Sequence, residues 1–188
     1  MIIDNLLKVN EREQFRRWLE ENSTSADYCW VVVSIKPKPD TLQYLDAVEE
    51  CICFGWIDGI KKKTEDGQLA QRFSPRKKKS NWTELNKERA RRLIRLNRMT
   101  IHGESTLPDL SKAAFKIDDE IINKLKEDKS VFEAFMRFPE LYRCIRVDTI
   151  QSVKKDRELF QKRLDKLVEQ TRLGKMYGQW DDSGRLIK

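Results

Sequence analysis

Two strand-like stretches, about 56–63 and 68–74, flank Glu65-Asp66-Gly67. A short glycine-containing turn between such stretches commits the chain to an antiparallel hairpin. A third strand is read upstream. "CWVVVSI", Cys29 to Ile35, is a β-branched run halted by "KPKP", as a buried strand entering a turn would be. Helical patterns surround these strands. Asn10 followed by Glu13 marks a helix start, with Phe15, Trp18 and Leu19 on the buried face of a helix over about 11–21. Asp40 or Thr41 caps a second helix with Leu42, Leu45, Val48 and Ile52 inward, and Gly55 ends it in a left-handed turn. Ser80 caps a long helix over about 81–97, on which Leu85, Leu93 and Leu96 form the apolar stripe. Thr100 starts a short helix that Pro108 breaks, and further helices are expected over about 118–127, 130–137, 139–152 and 156–172. The fold class that follows is α+β: a small antiparallel sheet with flanking helices, followed by a helical C-terminal part. The expected division is 1–110 and 111–188, packed as one globular unit.

Charge is distributed unevenly. Net charge is −5 over residues 1–60, +10 over 61–98 and +2 over 99–188, so the basic excess lies almost wholly in one segment. Local asymmetry of this kind points to an anionic partner. The four cysteines include a C-x-C at Cys51 and Cys53 inside an apolar helical pattern, which is neither a redox nor a zinc spacing; buried reduced thiols are expected. With one histidine in the chain, no metal and no cofactor are expected, and His102 reads as a structural or exposed residue. The N-terminus lacks the basic and apolar pattern of a signal peptide, and no run reaches the roughly 20 apolar residues of a membrane span. A cytoplasmic location is the expectation.

The chemistry-bearing segment is "FGWIDGIKKKTEDGQLAQRFSPRKKKSNW". Asp58 lies two positions from Trp56, on the same face of a strand, where a carboxylate beside an indole can accept hydrogen bonds or pair with arginine. Arg72 and Arg76 are the arginines a hairpin returns towards it, and the planar guanidinium suits carboxylate or phosphate. The Ser74-Pro75-Arg76 turn, the lysines 77 to 79, a helix start at Ser80 and Trp82 then converge within a few residues. An unpaired helix N-terminus is an intrinsic anion site. Together these residues suggest a pocket for an anionic ligand with a flat or apolar portion. Alone, the lysines read as solvated surroundings, and the tryptophans read equally well as core.

"LQYLDAVEECICFGWIDG" and "FSPRKKKSNWTELNKERARRLIRLNRMT" resemble the YdeI/OmpD-associated family, also called bacteriocin-protection proteins. The matching elements are Gly55 to Gly59, Phe73 to Arg76, Ser80, Trp82, Thr83, Asn86 and Met99-Thr100, with Trp30 and Lys36 also fitting. The similarity is specific over about 28–110 and weaker across the helical C-terminus. The resemblance adds Asn86 to the candidate site. It implies a role in tolerating bacteriocins or antimicrobial peptides, without implying a reaction.

The candidate ligand-binding set is therefore Trp56, Asp58, Arg72, Ser74, Arg76, Ser80, Trp82 and Asn86. The expected partner is an anionic small molecule or an acidic partner, with catalysis left open. The alternative is a nucleic-acid-binding module, in which Lys87, Arg91, Arg95 and Arg98 on the 81–98 helix contact phosphates and Trp82 stacks on a base. No helix-turn-helix, zinc-finger or RNP signature accompanies that helix.

Overall fold

The structure is a computed structural model that describes residues 3–78 and 80–187. The chain divides into two compact units, one of residues up to Asn81 with Arg89–Pro108, the other of Trp82–Glu88 with the residues from Asp109 onward.

The first unit is built on a five-stranded sheet. Strands β1 (Leu6–Leu7), β2 (Cys29–Ser34), β5 (Leu69–Pro75) and β4 (Trp56–Lys63) lie in that order, and β3 (Leu42–Gln43) also pairs with β2. The class is α+β, as the pattern implied. The sheet is mixed rather than purely antiparallel, because the two-residue strands β1 and β3 both run parallel to β2. The hairpin β4–β5 turns at Gly67, where a φ of +80° suits a residue without Cβ.

Helices α1 (Arg12–Asn22) and α2 (Tyr44–Cys53) cover one face of the sheet. Phe15 packs on Phe73 at 5.5 Å between ring centroids, and Trp18 meets Trp56 edge-on at 5.7 Å. Leu19, Val31, Val33, Ala47, Val48, Cys51 and Ile52 complete this core. Helix α2 begins at Tyr44 rather than beside Asp40 or Thr41, because Leu42 and Gln43 are spent on pairing with Val33 and Ser34. At the start of α1 the flanking residue is Glu11, without a side-chain cap, while Asn10 donates its backbone N–H to Gln14.

Gly55 ends α2 with φ +72°, as expected. Helix α4 (Ile101–Glu104) closes on that end: the Thr100 N–H and hydroxyl both donate to the Cys53 carbonyl, at 3.1 and 2.6 Å. A Cβ at Gly103 would lie 2.2 Å from the same oxygen, so the spacing from Met99-Thr100 to Gly103 meets a packing requirement.

Helix α3 (Glu84–Arg95) contributes residues to both units. It starts later than Ser80 and ends earlier than 97. Thr83 is the residue whose hydroxyl accepts from the Asn86 N–H, at 3.2 Å. Asn97, at φ +52°, terminates the helix with the Arg98 N–H bonded to the Leu93 carbonyl. Leu96 thus falls outside the helix and is 50% exposed, leaving Ala90 and Leu93 as the buried apolar positions.

The second unit contains α5 (Asp119–Lys126), α6 (Lys129–Arg137), α7 (Glu140–Gln151) and α8 (Arg157–Arg172), close to the expected spans, preceded by a short 3-10 turn at Lys112–Ala114. Their core comprises Ile121, Leu125, Val131, Phe135, Val147, Ile150, Phe160, Leu164 and Leu167. Asp118, Asp128 and Asp156 cap three of the helices with their side chains. Among the described residues no helix is long and apolar enough to cross a membrane.

Candidate functional site

A β-bulge decides which predicted site residues can meet. From Lys63↔Leu69 to Lys61↔Gln71 the hairpin ladder is regular, and then Gly59 and Ile60 together face Arg72, so that Asp58 opposes Phe73. The amide of Gln71, 3% exposed, donates to the Gly59 and Ile60 carbonyls at 2.8 and 3.1 Å and so stitches the irregularity. Were the same residues to continue in a regular ladder, Ile60 would face Arg72, Gly59 would face Phe73 and Asp58 would stand opposite Ser74, on the face that carries Arg72. A one-residue shift exchanges the faces of a strand.

Trp56, Asp58 and Phe73 accordingly share the face packed by α1 and α2, whereas Ile57, Arg72 and Ser74 share the other. The expected pairing of Asp58 with Arg72 is therefore replaced. Arg72 lies over the Tyr28 ring, 4.2 Å from its centroid, and Tyr28 in turn donates its hydroxyl to Asp4. Trp56 is 1% exposed and donates Nε1–H to the Ser23 carbonyl at 3.0 Å, which satisfies the indole within the core.

Asp58 is held from α2. The Tyr44 hydroxyl donates to its Oδ2 at 2.6 Å, a short charge-assisted bond. Arg76 follows the end of β5, with its backbone N–H on the Gly55 carbonyl at 2.8 Å and Nη1 reaching the Asn81 carbonyl at 3.4 Å. Its side chain is buried, and loss of hydration lowers its pKa to about 10, although the Asp58 carboxylate is near enough to oppose the shift. The neighbouring Cys51 thiol is pushed well up, by burial first and then by surrounding negative charge that includes Asp58. Tyr44, Cys51, Asp58 and Arg76 are thus the charged and polar neighbourhood that this face presents.

The predicted anion site at a Ser80 helix start is not formed. Ser80 closes a turn instead: its hydroxyl accepts from the Lys77 N–H at 3.0 Å and its own N–H donates to the Lys77 carbonyl at 2.8 Å. Lys79 lies outside the described residues. In the second unit, the Glu84 N–H at the start of α3 donates to Asp148 Oδ2 at 3.0 Å, so that an internal carboxylate already serves this terminus. Burial raises the Asp148 pKa; the Glu84 N–H bond opposes this, the Glu84 charge adds to it and Lys87 opposes it. Trp82 and Asn86 belong to this second unit, while the other six predicted residues belong to the first. Two open grooves on the first unit, of about 740 and 590 Å³, lie where Leu6, Val32 and Gln68 meet, and no predicted site residue lines either.

The candidate set omitted a denser charge cluster. Glu49 and Glu50, 1% and 0% exposed, project from α2 into four arginines. Arg12 and Arg92 bind Glu49 at 2.7 and 2.9 Å, and Arg12, Arg16 and Arg98 bind Glu50, the last two at 2.8 Å. The available signal was "VEECIC", two adjacent acids inside an apolar helix, set against Arg12 and Arg16 one turn apart on α1. Lys87 likewise pairs with Glu84, so two of the four cations expected to face nucleic acid, Lys87 and Arg98, are held in internal ion pairs.

Comparisons with known proteins divide the chain in two. Residues 7–106, more than half of its length, match the family model described as "Domain of unknown function (DUF8412)". The chain belongs to that family. Residues 114–174 match the model described as "Bacteriocin-protection, YdeI or OmpD-Associated". The latter is the family suggested by the resemblance, but its match falls on the helical segment rather than on the motifs over 28–110 that prompted the comparison. No curated protein and no solved structure matches the chain.

Proposed function

We propose that the first unit binds an anionic small molecule through Arg76, with Asp58 and Tyr44 setting the geometry around the guanidinium. The observation that carries this proposal is the desolvated arginine: burial lowers Arg76 to about 10 even with a carboxylate nearby. A buried guanidinium beside a carboxylate is the kind of perturbed charge that clusters at functional sites, and an incoming anion would add to the interactions it already makes. Guanidinium geometry favours a carboxylate or phosphate presenting two oxygens. Asp58, fixed by the Tyr44 hydroxyl, opposes a second negative charge and offers an acceptor to a ligand hydroxyl or ammonium group. The ligand class is therefore an anion that also carries a hydrogen-bond donor.

Isothermal titration with a panel of phosphorylated and carboxylated metabolites tests the assignment. Arg76→Gln should remove the binding seen in the wild type, and Tyr44→Phe should weaken it by about ten-fold through loss of a charge-assisted bond. Equal affinity in Arg76→Gln and wild type would exclude the site. The nucleic-acid alternative draws no support from the internal pairing of Lys87 and Arg98.

A further inference from the structure

The helical unit contains an arginine with no counter-ion. Arg146 on α7 is 8% exposed, and among the described residues it has no ion pair with a carboxylate. Its Nη2 donates to the Tyr177 carbonyl at 2.7 Å, and its guanidinium lies 4.5 Å from the Tyr177 ring centroid and 5.9 Å from that of Tyr142. Arg146 Nε is buried without a hydrogen-bond partner, and the Tyr142 hydroxyl oxygen, close enough to the Arg146 guanidinium and the Tyr177 N–H to feel both, has no acceptor for its own O–H. Two further cations approach the same place. Lys166 Nζ lies 5.2 Å from the Tyr177 ring centroid, and the charge of Arg163 acts on the Tyr177 hydroxyl. A buried charge without a counter-ion is costly, and cation–π contacts offset only about 2 kcal/mol of that cost.

The segment after α8 covers this arginine. Gly174 turns the chain at φ +65°, Tyr177 supplies its ring and carbonyl, and Trp180 meets Tyr142 edge-on at 5.7 Å. Gly178, at φ +72°, passes so close that a Cβ there would lie 2.3 Å from Arg146 Nη2. The match to the YdeI/OmpD-associated model includes Arg146 and stops at residue 174, just before this strap.

We propose that Arg146 is an oxyanion site, taking a carboxylate or phosphate group, and that the strap over 175–180 occupies it from within. The Tyr177 carbonyl stands in for one ligand oxygen. A charged oxygen bonds a guanidinium roughly twice as strongly as a neutral one, and it also gives Nε and the Tyr142 hydroxyl an acceptor. The aromatic contacts of Tyr177 and Trp180 oppose its entry, so the apparent affinity is the intrinsic one reduced by the fraction of molecules with the strap lifted. This site is independent of Arg76 and stands whether or not that assignment holds.

The test uses the full chain, with inorganic pyrophosphate and benzoate as separate calorimetric probes. Gly178→Ala and Tyr177→Ala loosen the strap in different ways, and each should tighten binding of at least one probe by about ten-fold. Tightening for pyrophosphate alone assigns a phosphate ligand, and for benzoate alone a carboxylate. Arg146→Gln should abolish binding in both strap variants. Arg146→Lys, which keeps the charge but loses the planar fork, should weaken it several-fold and serves if the glutamine variant does not fold. Arg76→Gln should change neither result. Unchanged affinity in both strap variants, or binding that persists without Arg146, overturns the proposal.

Discussion

Glu50 offers a direct measure of what the buried charge cluster contributes. Its carboxylate is 0% exposed and accepts from Arg12, Arg16 and Arg98, whose side chains are 19 to 29% exposed. Replacement by glutamine preserves shape but removes the charge that three guanidinium groups share. Removing one partner of a buried ion pair costs about 3–5 kcal/mol, and the partial hydration of the arginines places this case near 3. Glu13 is the matched control. It binds the same Arg98 Nη2, at 3.0 Å, yet it is 64% exposed, and exposed pairs contribute about 0–1 kcal/mol. Urea unfolding followed by tryptophan fluorescence is the assay, because Trp18, Trp30 and Trp56 all lie in the first unit. Glu50→Gln should lower stability by about 3 kcal/mol and Glu13→Gln by less than about 1. Similar losses for the two variants, or a Glu50→Gln cost below about 1 kcal/mol, would refute the view that burial sets the strength of this cluster.

Trp56→Phe should cost about 1–3 kcal/mol, because it leaves the buried Ser23 carbonyl without its donor; anion affinity measured on the folded variant should be unchanged. Gly103→Ala should lower the unfolding midpoint sharply, since its Cβ would meet the Cys53 carbonyl at 2.2 Å, whereas alanine at the open Gly67 turn should cost only the strain of its positive φ. Asp148 has a folded pKa raised by burial above its unfolded value, so its contribution is present at low pH and lost as pH rises through the folded pKa. Asp148→Asn should therefore flatten the decline in stability from about pH 4 upward, and urea midpoints that fall in parallel for both proteins would contradict this.

The hairpin was legible because alternation and a glycine turn are local, and both survive into the structure at Trp56–Lys63 and Leu69–Pro75. The C-terminal helices were legible for the same reason, with spacing and aspartate caps close together in sequence. Caps were misassigned where two residues compete: Ser80 and Thr83 are both good caps, and the Lys77–Ser80 turn took the first and left the second to α3. Strand β3 was hidden because its two residues become a strand only through β2, a partner distant in sequence. At the site, sequence spacing correctly placed Trp56 and Asp58 on one face. It could not place Arg72, because that depends on whether the ladder carries an extra residue at Gly59 and Ile60. Tyr44 carries no local signal of its role, because that role depends on the start of α2 lying beside β4.

The bulge also sets what kind of mutation can remodel this surface. A substitution in β4 changes one side chain and leaves the others where they are. Deleting a single codon at Gly59 or Ile60 would leave one residue facing Arg72, so that Asp58 stays opposite Phe73 and Trp56 stays in the core, and only the bulge with its Gln71 bonds is lost. A strand in this position can thus lose a residue at the bulge without re-siting its neighbours, and relatives that differ in the length of this strand should differ there, with the pairs on either side kept.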